Sequence, residues 1–226
     1  MNALSPERAA VLRRRIRMIV AATIAYNVVE AIIALVAGQI ASSSALFGFG
    51  LDSSVEVLSA AAVAWQFSGP EPQRRERTAM RLIAISFFGL AAIVTVESVR
   101  ALLGYAEAET SMPGIILAAV SLIIMPVVSY LERRAGRELG SASAVSDSRQ
   151  TLICAYLSAV LLGGLLVNAA WGWSWADPVA ALVIAALAFR EGLSAWRGDA
   201  CCASSGRVFA KDDEDACQDA CCAESR

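Results

Sequence analysis

The sequence predicts an all-α membrane protein of six transmembrane helices with cytoplasmic N- and C-termini, and three observations carry that expectation. Of the 226 residues, 57% are apolar and 18% charged, against about a quarter charged in a soluble domain, and the mean hydropathy is +0.57. Six apolar stretches, at roughly 16–38, 45–67, 79–104, 112–131, 149–170 and 177–196, each reach the about 20 residues that cross a hydrocarbon core. Arginines, finally, occupy alternate loops.

The first stretch follows Arg13, Arg14, Arg15 and Arg17. It is too long for a secretory signal and has no small-residue cleavage site, so it reads as a retained span behind a basic segment, residues 1–15. Within it Asn27 and Glu30 share a helical face, placed to line an aqueous cavity or to hydrogen-bond a neighbouring helix. The second stretch carries Asp52 and Glu56. A carboxylate near the bilayer centre costs roughly 2.5–3.5 kcal/mol on insertion scales, so an acid there is a functional hypothesis by default. Spacing of i, i+4 stacks the two carboxylates on one face, where such a pair shares protons or binds a cation.

In the third stretch Glu97 sits one turn before Arg100 and is expected to pair with it. The fourth contains Pro126, expected to kink the helix. In the fifth, Asp147, Gln150, Thr151 and Cys154 fall at i, i+3, i+4 and i+7, one face of a helix, offering oxygen and sulfur donors to complete a metal site with Asp52 and Glu56. The sixth opens on Asp177-Pro178, which reads as an N-cap followed by proline at the first helical position.

Arg8 to Arg17, then Arg74, Arg75 and Arg77, then Arg133, Arg134 and Arg137, then Arg197 all fall on one side of this scheme. The opposite loops, near 39–44, 105–111 and 171–175, hold no Lys or Arg. By the positive-inside rule both termini are cytoplasmic, and Trp171, Trp173 and Trp175 belong to an outer interfacial belt. The expected location is the inner (plasma) membrane, multi-pass.

From residue 198 to 226 the chain turns polar, acidic and cysteine-rich, with about four net negative charges. This segment is too short and polar for a core of its own. Cys201, Cys202, Cys217, Cys221 and Cys222 lie in it, beside four consecutive acids, Asp212 to Asp215. In a reducing cytoplasm these thiols point to metal capture ahead of redox switching or an unstructured tail.

Histidine is absent, which excludes a His-based catalytic triad, a His-rich zinc site and an imidazole switch. The formal charge of −2 supplies no basic face for nucleic acid. No nucleophile and base arrangement stands out, and no Cys-x-x-Cys supports a thiol oxidoreductase. The expectation is a non-enzyme.

Six spans, the acidic pair of the second, the polar stripe of the fifth and Trp175-Ala-Asp-Pro-Val-Ala-Ala-Leu-Val-Ile184 opening the sixth together resemble the cation diffusion facilitator superfamily over about residues 12–197. The resemblance implies a cation-efflux-type bundle of spans one, two, four and five around a midmembrane metal site, with spans three and six beside it. It also implies export of a divalent metal in exchange for protons. Zinc is the first choice, ahead of cadmium, cobalt, iron and manganese; the metal is cargo, and no cofactor is required.

By the same resemblance Asp52 and Glu56 fall on the two acidic ligand positions of the second span, and Asp147 on an aspartate of the fifth. Gln150 stands where histidine is usual and Cys154 where a second aspartate is usual. An amide oxygen and a soft thiolate shift the donor set toward a different or softer ion. The folded cytoplasmic domain that helps family members dimerise is replaced by the cysteine-rich tail, as in the smaller, domainless branch, and a homodimer is the assembly left open. The competing expectation is a non-transporting metal sensor or metal-storage protein of the membrane that works through the tail.

Overall fold

The computed structural model describes residues 6–67, 72–105, 107–139 and 142–197, and these form six helices: α1 (Pro6–Ile40), α2 (Ser44–Phe67), α3 (Pro72–Leu102), α4 (Met112–Leu139), α5 (Ala142–Trp171) and α6 (Ala176–Arg197). Each contains a window long and apolar enough to cross a membrane. The predicted spans all lie on these helices, apart from the last two residues of the third, which fall just past the end of α3.

Helix α1 is turned inside out relative to a helix of a soluble bundle. On α1, Asn27, Glu30, Ala31, Ala34 and Ala37 are buried, while Val28, Val29, Ile32, Ile33 and Val36 are exposed. Small and polar residues therefore face the neighbouring helices and branched apolar ones face outward, the arrangement lipid favours. At Gly38 a Cβ would lie 2.6 Å from the backbone N of Phe47, and at Gly50 one would lie 2.8 Å from that of Leu35. Glycine at these two positions lets α1 and α2 approach backbone to backbone.

Helices α1, α2, α5 and α4 contact one another in a ring, and α3 and α6 form a pair packed against it through α2 and α5. This is the grouping the resemblance implies. Buried side chains such as Leu46, Phe49, Met125, Leu161 and Ile184 fill the interior. Since successive helices alternate in direction, both ends of the described chain lie at one end of the bundle.

Four sequence readings need amendment or confirmation at this level. In the basic segment 1–15 the described residues are already helical, because α1 begins at Pro6 and runs without a break into the apolar stretch. Likewise α4 continues beyond residue 131 to Leu139 and passes unbroken through Pro126. These polar extensions meet: Arg8 Nη2 and Glu138 Oε1 lie 2.5 Å apart. Glu97 and Arg100 do pair, at 3.2 Å.

The reading of Asp177 as the cap of its own helix is wrong. Helix α6 starts one residue earlier, at Ala176, and the fully buried Asp177 carboxylate instead accepts from Ser43 Oγ at 2.5 Å and from the Ala45 backbone N–H at 3.2 Å. Ser43 Oγ in turn accepts from the Leu46 N–H at 3.1 Å. Asp177 thus caps α2 from across the bundle, setting a negative charge at the positive end of the helix dipole.

Loop contacts at that end of the bundle hold it together. Glu109 N–H donates to Ala41 O at 2.8 Å, and Asn168 Nδ2 donates to Ala108 O at 2.8 Å. Trp171, Trp173 and Trp175 gather there, exposed, with ring centroids 6.2 and 5.5 Å apart in sequence order.

Candidate metal centre

Asp52 lies near the middle of the apolar window of α2, and the helical turn brings Glu56 beneath it on the same face. From α5, Cys154 meets them. The carboxylate oxygens of Asp52 and Glu56 and the sulfur of Cys154 lie within 4.8 Å of one another. Cys154 is fully buried, Asp52 is 4% exposed and Glu56 is half-buried. Donors that share one cation through bonds of about 2.0–2.3 Å stand at most about 4.6 Å apart, so the three need only draw somewhat closer to meet on one ion. Two hard oxygens and one soft sulfur form a set that accepts borderline ions.

Helix α1 contributes the surroundings. Asn27 Nδ2 donates to Glu56 Oε2 at 2.6 Å, which holds that carboxylate toward α1. Glu30, 1% exposed, accepts from Ser53 Oγ at 2.8 Å and from Ser121 Oγ. Tyr26 OH and Ser121 Oγ are hydrogen-bonded at 2.6 Å. Glu30 therefore ties α1 to α2 and α4 immediately beside the three-donor cluster. Glu30 from α1 and Glu191 from α6 both lie near enough to Asp52 to interact with it, so acidic side chains gather here from three helices.

The structure thus brings together Asp52, Glu56 and Cys154, with Asn27 bonded to the cluster and Glu30 beside it. Thr151 is buried on α5, one turn from Cys154. Asp147 and Gln150 lie on α5 by register, but their side chains fall outside the described residues, as do Cys201, Cys202, Cys217, Cys221 and Cys222 of the tail.

Sequence reasoning passed over Ser53, Ser121 and Tyr26. Tyr26 stands four residues before Glu30 and was legible as a helical neighbour. Ser121 is a lone hydroxyl in an apolar helix, and only the packing of α4 on α1 reveals its partner.

No curated protein sequence matched the chain. The model of the cation efflux transmembrane domain matches residues 20–197, a range that takes in all six membrane-crossing windows in whole or nearly so, together with every member of the buried cluster. This six-helix chain, with two carboxylates and a thiol converging inside its bundle, belongs to the cation efflux (cation diffusion facilitator) family and is a cation transporter.

Proposed function

We propose that the protein exports a divalent metal cation, zinc first, from the cytoplasm across the inner membrane in exchange for protons, with the cation bound by Asp52, Glu56 and Cys154. What carries this reading is the convergence of those three donors within 4.8 Å inside the helix bundle. Carboxylates and thiols coordinate metal in their deprotonated forms, so loading the site releases protons and unloading it takes them up. Exposure of the site to the two aqueous phases in turn makes that exchange vectorial. The arginine asymmetry supports cytoplasmic termini, and the exposed tryptophan cluster at the opposite end supports an outer interface there.

The test is transport. The protein is reconstituted in proteoliposomes, a pH gradient is imposed, and zinc, cadmium, cobalt, iron and manganese are offered in turn. Gradient-dependent flux of at least one of them is expected. Binding without flux of any would contradict the proposal and favour the non-transporting sensor or storage reading.

A further inference from the structure

We propose that Asn27 supplies a fourth ligand, its amide oxygen, to the cation held by Asp52, Glu56 and Cys154, so that the site is built from α1 as well as α2 and α5. This rests on the reading of those three residues as the cation site. Asn27 is 4% exposed, at the midpoint of the apolar window of α1. Its Nδ2 is already committed to Glu56 Oε2 at 2.6 Å. Its Oδ1 is buried and has no hydrogen-bond partner. A buried carbonyl left in that condition is costly, and the amide that carries it abuts a cluster of cation donors.

The amide can present either of its ends to the cluster. In the structure the N–H of Asn27 satisfies the Glu56 carboxylate. A half-turn of the amide about χ2 exchanges Oδ1 with Nδ2, bringing an oxygen to the position now 2.6 Å from Glu56 Oε2. Two oxygens bound to one cation approach each other to about 3 Å, so little further adjustment is needed.

The resulting set, two carboxylate oxygens, one amide oxygen and one sulfur, closes a four-coordinate shell. Being neutral, Asn27 adds a ligand without adding a further negative charge to the two carboxylates and the thiolate. Occupancy of the cation would then draw α1 against α2, and the position of α1 would report whether the site is loaded.

The rival source of a fourth ligand is Gln150, one turn before Cys154 on α5, and a cobalt titration separates the two. Full-length protein with Cys201, Cys202, Cys217, Cys221 and Cys222 all changed to Ser serves as the parent, so that Cys154 is its single thiol. Bound Co2+ then shows a sulfur-to-cobalt charge-transfer band from one thiolate.

In Asn27→Cys the band should roughly double, since its intensity follows the number of thiolates bound. In Asn27→Cys with Cys154→Ser it should return to the parent level. An unchanged band in Asn27→Cys, or a doubling confined to Gln150→Cys, overturns the proposal.

Should Asn27→Cys misfold, Asn27→Asp keeps the size. A shift of the visible cobalt bands is expected as a carboxylate replaces an amide, and an unshifted spectrum overturns the proposal. If the parent itself shows no thiolate band, the three-donor site fails as well, an outcome distinct from failure at residue 27 alone.

Discussion

At Cys154 a sulfur occupies the place where an oxygen donor would make the site wholly hard, and the exchange has a measurable consequence. Cys154→Ser should weaken zinc and cadmium relative to manganese, because thiolate favours the softer ions. Competition binding in detergent reads the order directly, and an unchanged preference would return Cys154 to the role of a small packing residue. Glu30 makes a different prediction. Its carboxylate joins hydroxyls from α2 and α4, so Glu30→Ala leaves a cavity and removes the acceptor of both. A loss of about 1–3 kcal/mol is expected, measured as a lower thermal midpoint, and an unchanged midpoint would argue that the cluster does not hold α1 in place. The pairing of Asp52 with Glu56 was legible in the sequence because both lie on one helix at a fixed spacing. The bond from Asn27 to Glu56 was not, because it joins residues 29 apart in the chain that meet only through packing.

Helices were the most legible feature, since composition alone marks a stretch of apolar residues long enough to cross lipid. What stayed hidden was how helices serve each other. Asp177-Pro178 carries the local pattern of a helix start, yet the aspartate spends its hydrogen bonds on Ser43 and Ala45 at the start of α2. A local pattern cannot distinguish a cap made in place from one made across the bundle. Asp177→Ala should therefore destabilise α2 and its contact with α6. Losing a buried carboxylate acceptor and a cap costs about 1–3 kcal/mol. The thermal midpoint should fall while the order of metal preference is kept, because Asp177 lies at the end of α2 remote from Glu56. A change of metal preference without loss of stability would show that Asp177 acts on the cation instead. The polar extensions of α1 and α4 were missed for a related reason: apolarity measures the membrane-crossing part of a helix and not the helix itself.

For the whole molecule, six alternating helices bring the two ends of the described chain to one side, which the proposed topology makes cytoplasmic from the arginine asymmetry. Reporter fusions after Arg75, after Arg134 and at the C-terminus should all read cytoplasmic, and a fusion near Glu107 should read external. An external C-terminus would reverse the direction of transport and remove the reducing surroundings assumed for the tail thiols. The grouping of four helices around the cluster with two beside it followed from resemblance. The inverted packing, small and polar inward and branched outward, was visible in the residues of α1 once its partners were known. The central claim is that protons leave the carboxylates when the cation binds and that this exchange drives transport. Its most direct measurement follows metal uptake and proton release together in the same proteoliposomes, for the unaltered protein and for Asp52→Asn, which preserves size and hydrogen bonding but cannot ionise. The account predicts coupled metal and proton movement in the former and, in a variant that still inserts and folds, metal flux at background with diminished proton release. Undiminished coupled flux in Asp52→Asn would contradict it.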